Sequence, residues 1–124
     1  MNSIREVSLA TRAGGDFYLL LGDLLDEFYR AKPETRVEML RGRPEDMTEP
    51  EFVPFLAATA HKLADDNGLI PPRWAFERRC YLPGGKPYFA CGAKGDLRLL
   101  FMYKSPAEFK HRNLFVDENV LVRV

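Results

Sequence analysis

The chain has 124 residues, 46% of them hydrophobic and 29% charged, and its 18 Lys and Arg balance its 18 Asp and Glu. That composition is ordinary for a globular domain and excludes a disordered chain, a collagen-like repeat and a disulfide scaffold. A chain this long buries roughly two-thirds of its unfolded surface, enough for one core without staples, so one domain over residues 1–124 is expected.

Ser3 and Glu6 stand in capping-box spacing and open a first helix. Its inner face is Ile4, Val7 and Thr11, and its end falls near Gly14-Gly15. Asp16 is placed to cap a second helix, in which Phe17, Leu20, Leu21, Leu24, Leu25 and Phe28 form a wide apolar stripe. Asp26 is set to pair with Arg30 one turn on. Pro33 suits the first position of a third helix that stops at Gly42.

Residues 42–50, GRPEDMTEP, read as a loop. Thr48 and Glu51 repeat the capping-box spacing, and a fourth helix then runs to Asn67-Gly68. Its stripe is Phe52, Phe55, Leu56, Thr59, Ala60 and Leu63, and Pro54 shifts its start or kinks it. A short helix is expected from Pro72 to Arg79. The glycines and prolines of 80–95 mark irregular chain or a small hairpin.

Asp96 to Lys104 reads as another helix, with Leu97, Leu100, Phe101 and Lys104 on one side. Ser105-Pro106-Ala107-Glu108 is the best start signal in the chain, with a Ser cap and Pro at the first helical position. That helix is short, because Phe115-Val116 is strand-like, and Asn119 to Val124 form a last short helix or an edge strand. The fold expected is therefore mainly α, a compact domain of five to seven short helices with room for a minor β-hairpin near residues 80–91.

The zero net charge is a cancellation. Residues 1–67 hold 8 Lys/Arg and 13 Asp/Glu, whereas residues 68–124 hold 10 and 5. Such asymmetry marks either two halves that attract each other within one fold or a basic face for nucleic acid or a docking partner.

Two cysteines, Cys80 and Cys91, do not make a disulfide framework. No apolar run approaches the ~20 residues of a spanning helix, and the first residues carry no basic and apolar leader. The chain is expected to be cytoplasmic and free of the membrane.

His61, Cys80, Cys91 and His111 are the soft metal ligands, but they lack the close pairs of a zinc site, and no metal or other cofactor is expected. No nucleophile elbow, phosphate loop or dinucleotide fingerprint is present, and Gly84-Gly85-Lys86 is followed by Pro87, which suits a turn. No catalytic residue is assigned, and an enzyme whose site assembles only in three dimensions stays open as a third reading. Arg73-Trp74-Ala75-Phe76 and Phe109-Lys110-His111-Arg112-Asn113 mix basic and aromatic residues. Such residues neutralise phosphates and stack on bases, or they anchor a core with Arg at its rim.

Two stretches carry a resemblance. Residues 57–76, AATAHKLADDNGLIPPRWAF, and residues 105–124, SPAEFKHRNLFVDENVLVRV, resemble a family of small uncharacterised bacterial proteins. The match lies in Trp74, Ser105, Pro106, Phe109, Arg112, Asn113, Phe115, Val116, Leu121 and Arg123, and covers roughly residues 51–124. The same pattern is similar to the C-terminal region of antitoxins encoded beside a nucleotidyltransferase-like partner. Residues 1–41 depart from those antitoxins, because they lack a helix-turn-helix. The resemblance implies a non-catalytic module that binds a protein partner, with Arg73, Trp74, Lys110, Arg112 and Asn113 as candidate partner-binding residues. The second reading is a nucleic-acid binder using the basic C-terminal half. For Arg112 and Asn113 there is a structural alternative: they fasten the tail to the body, Arg112 through terminal helix carbonyls or a carboxylate such as Asp117.

Overall fold

The computed structural model describes residues 2–123. Six α-helices dominate: α1 (Ile4–Arg12), α2 (Phe17–Arg30), α3 (Pro33–Arg41), α4 (Phe52–Asp66), α5 (Gly95–Lys104) and α6 (Ala107–Lys110). Two two-residue strands, β1 (Tyr88–Phe89) and β2 (Leu114–Phe115), complete the fold. None of these helices is long and apolar enough to cross a membrane.

Local chemistry sets the ends of the first helices. Ser3 accepts from the Glu6 amide at 3.2 Å, and the Asp16 carboxylate accepts from the amides of Tyr18 and Leu19. Pro33 takes the first position of α3. α4 ends as a glycine-terminated helix should: Gly68 adopts φ +67°, and the Leu69 amide donates to Ala64 O at 2.8 Å. Its start differs from the capping-box expectation. The helix begins at Phe52, after Glu51, and neither Thr48 nor Glu51 caps it with a side chain. Pro54 therefore falls in the first turn, where its missing N–H leaves no helical bond unmade and causes no kink.

α4 is the central element. Val53 to Ala60, Leu63 and Ala64 are all buried, and α1, α6 and the turns after residue 72 pack around it. Its alanines let those elements approach closely. Ile4, Val7, Leu21, Leu24, Leu25, Phe28, Phe55, Leu56, Leu63, Phe109, Leu114 and Val116 join in one apolar cluster. Arg36 ties three helices at one end. It donates to Phe28 O and Tyr29 O, the terminal carbonyls of α2, and to Asn67 Oδ1 at the end of α4.

The expected helix over 72–79 is instead two 3₁₀ turns, Arg73–Phe76 and Arg78–Cys80. The minor β element is a parallel pair, Tyr88 opposite Leu114 and Phe89 opposite Phe115, rather than a hairpin within 80–91. Residues 118–121 form turns, neither helix nor strand, and Val124 lies outside the described residues.

Three side chains depart from their expected partners. Asp26 pairs with Arg123, Nε to Oδ1 2.9 Å, and not with Arg30. Arg123 crosses α2 at Gly22, where an added Cβ would stand 3.2 Å from the guanidinium. Ser105 does not cap α6. Its hydroxyl accepts from the Val116 amide at 2.8 Å, with Phe101 O and Val116 O as acceptors for its own hydrogen. Arg112 does not meet Asp117, as described next.

Candidate functional site

Arg112 is 1% exposed, the largest fully buried side chain of the protein. The turn after α6 aims it inward between α4 and the first 3₁₀ turn. Its guanidinium donates to Ala75 O at 2.8 Å, to Glu108 O at 2.8 Å and to His61 Nδ1 at 3.1 Å. The rings of Tyr81 and Phe76 lie 4.9 and 5.6 Å from its central carbon. All three bonded partners are neutral, Nε is left without an acceptor, and burial pushes the guanidinium pKa down from its ordinary value. One planar fork thus fastens three elements, α4, α6 and the turn at Ala75.

An arginine only donates, so His61 Nδ1 must accept, and the ring hydrogen sits on Nε2, 3.3 Å from Asp65 Oδ2. Burial is the largest influence on His61 and lowers its pKa; Arg112 and His111 act the same way, against Asp65 and Glu108. Protonation would put a second cation against Arg112. A histidine whose folded pKa lies below its unfolded value of about 6.5 withdraws stability as pH falls through that value and on through the folded pKa. The melting temperature of the wild-type chain should therefore drop more steeply between about pH 7 and pH 5 than that of His61→Asn, which keeps an acceptor near the Nδ1 position and cannot titrate. Parallel melting curves for the two proteins would remove His61 from this account.

The other candidate partner-binding residues separate into two groups. Trp74 is buried, and its Nε1–H donates to Leu40 O at 3.0 Å, the end of α3. Asn113 sits at φ +65°, a left-handed position that Asn tolerates better than most residues, and its Nδ2 donates to Pro83 O at 2.7 Å. Lys110 is half-buried and donates to Tyr103 O at 3.1 Å, while Arg73 is exposed. Arg112, Asn113 and Lys110 are close in the chain, but they point to three different neighbours. Arg112 and Trp74 spend their donors on the protein's own carbonyls.

Among the described residues no three metal-ligating side chains converge. Burial raises the pKa of the Cys80 thiol, which donates to Trp74 O, and Cys91 is exposed at φ +57°. A cleft of about 360 Å³ lies between Tyr18, Phe55, Tyr88, Ala90, Cys91 and Val120. The two tyrosine hydroxyls meet there at 2.7 Å, and burial with that bond pushes the Tyr18 pKa up. Its lining holds no carboxylate and no histidine.

The largest anomaly is α5. Phe101 is its one buried side chain, and none of its residues joins the main apolar cluster. Leu99 is 63% exposed and Tyr103 78%; Leu97, Leu100 and Met102 each expose more than two-fifths of their surface. The helix rests on β2, and Arg98 lies over the Phe89 ring at 4.0 Å, which in turn stacks on Phe115. Of the residues expected to share one side of this helix, Phe101 is buried, whereas Leu97, Leu100 and Lys104 are open to solvent. The signal in the sequence is six large apolar or aromatic residues within Leu97–Tyr103, more than one face of a short helix can bury.

Comparison with protein-family models, curated proteins and solved structures returns no match.

Proposed function

We propose that this chain is a non-catalytic protein-interaction module and that α5 is the segment that meets the partner. The observation that carries the reading is the exposure of Leu97, Leu99, Leu100, Met102 and Tyr103 on one ten-residue helix. Contiguous apolar surface of this kind marks an interaction site. The resemblance to antitoxins makes a nucleotidyltransferase-like protein, in a two-gene bacterial system, the first partner to test. Arg73, at the exposed end of its turn, and Lys110, beside Tyr103, are the members of the original set with surface to offer.

The basic C-terminal half supports nucleic-acid binding as the second reading. It is the weaker one, because four of the five exposed apolar side chains of α5 are not aromatic and cannot stack on bases. The test is co-purification of the chain from its native host, beside a Leu99→Asp/Tyr103→Asp variant, with the recovered protein identified and then rebound in purified form. The expected result is one stoichiometric protein partner that the wild type binds and the variant does not. Equal recovery with both chains overturns the assignment to α5; recovery of nucleic acid alone, lost on nuclease treatment, overturns the protein reading.

A further inference from the structure

We infer that the cleft between α2, α4 and β1 is a binding site for a small quaternary ammonium ligand, one that carries an alcohol or ester oxygen a few atoms from the charged nitrogen. The inference goes beyond the protein-binding reading above, because the cleft uses none of the exposed side chains of α5.

Separate parts of the chain converge on this space. Tyr18 comes from α2, Phe55 from α4, Tyr88 from β1, Cys91 from the turn that follows it, and Val120 from the C-terminal turns. Tyr18 stands at 86° to Phe55 with ring centroids 5.8 Å apart, and Tyr88 stands at 83° to Phe55 with centroids 6.5 Å apart. The two tyrosine hydroxyls meet at 2.7 Å. Three rings thus border one cleft, two of them nearly perpendicular to the third. Aromatic rings carry partial negative charge on their faces and attract a cation within about 6 Å, and cages of such rings take quaternary ammonium groups.

Charge and hydrogen bonding narrow the ligand class. The lining holds no charged side chain. An anion finds no cation there, and a primary ammonium finds no carboxylate for its N–H groups. A quaternary ammonium has no N–H to satisfy, so apolar and aromatic walls suit it better. Glu51 lies outside the lining, yet after burial and the Tyr88 bond it helps to push the Tyr18 pKa up, so its negative field reaches the cleft. Lys86 lines the adjoining cleft with Glu51 and Tyr88, but among the described residues the two charges form no ion pair. Lys86 is exposed, where water and salt screen it, whereas Glu51 is half-buried and screened less.

The ligand oxygen follows from the tyrosine count. Two hydroxyls carry two hydrogens, and their mutual bond uses one. Among the described residues neither hydroxyl has another partner, so one hydrogen is left for an acceptor on the ligand. The cleft volume of about 360 Å³ is at the small end of the roughly 300–1,000 Å³ of ligand pockets. Choline and its short esters have this size and this pairing of charge and oxygen.

The experiment uses the full-length chain, with choline and its uncharged isostere dimethylbutanol, in which carbon replaces the charged nitrogen, as probes. Binding is read by calorimetric titration and by the rate at which iodoacetamide alkylates Cys91 on the cleft wall, buried Cys80 being the internal control. The expected result is that choline slows alkylation of Cys91 in proportion to occupancy and binds about tenfold more tightly than dimethylbutanol. Tyr18→Leu, at a half-exposed position, should abolish choline binding at a nearly unchanged melting temperature. Glu51→Gln should weaken choline about threefold and leave dimethylbutanol unchanged. The Leu99→Asp/Tyr103→Asp variant should bind choline as the wild type does, so this inference and the protein-binding reading fail separately. Alkylation of Cys91 at the same rate with and without choline overturns the site. Equal affinity for choline and dimethylbutanol overturns the cation and leaves a neutral apolar cleft. Choline binding that survives Tyr18→Leu overturns the cage, and choline binding unchanged in Glu51→Gln overturns the part given to that carboxylate.

Discussion

Arg112→Ala is expected to lower the stability of the isolated chain by about 2–4 kcal/mol, seen as a fall in the urea midpoint at unchanged slope. The substitution strips donors from Ala75 O and Glu108 O at one stroke and removes the link to His61. Each buried carbonyl left unpaired costs about 1–3 kcal/mol. The total is held below the simple sum because the unpaired Nε and the buried charge are themselves unfavourable in the native protein. Arg112→Lys should recover little, since one ammonium on a flexible stem cannot reach acceptors on three elements as a planar fork does. With the guanidinium 1% exposed, partner affinity of the folded fraction should be unchanged. A wild-type midpoint, or weaker partner binding at full folding, would return Arg112 to the docking surface.

Leu24→Ala should cost about 2–5 kcal/mol. Leu24 is fully buried on α2, whose apolar face packs on α1, and it lies in the same cluster as Phe28 and Leu56. The loss combines the transfer of the missing methyl and methylene groups with the void they leave. Leu19, five residues earlier on the same helix and 70% exposed, is the control: Leu19→Ala should stay within about 0.5 kcal/mol of wild type. Similar effects at the two sites would contradict the burial of this face.

The contrast between Leu24 and Leu19 is legible in the chain itself, because the spacing of Leu21, Leu24, Leu25 and Phe28 selects one side of a helix whatever lies opposite. The ends of α1, α2 and α3 are legible for the same kind of reason. Ser3, Asp16 and Pro33 act on amides within three residues of themselves, and Gly68 needs only its own left-handed conformation. Mainly helical structure follows from such short-range chemistry, whereas the minor β element pairs Tyr88 and Phe89 with Leu114 and Phe115 from a distant part of the chain.

The candidate surface is not of that kind. Ser105 carries every local mark of a helix cap, yet Val116, eleven residues on, claims its hydroxyl once the tail folds back. Asp26 has Arg30 one turn away, but Arg123 arrives in bidentate register from the far end of the chain. Arg112 sits in a polar, basic stretch that reads as surface, and three carbonyl and imidazole acceptors brought from α4, α6 and residue 75 make its burial tolerable. α5 is the reverse case, a run of large apolar residues that reads as core. Whether such a helix is covered depends on how much apolar surface the other elements can spare, and here α4 and its neighbours close around one another first. Periodicity reports which residues share a face; it carries no information about which faces of the assembled protein run out of partners.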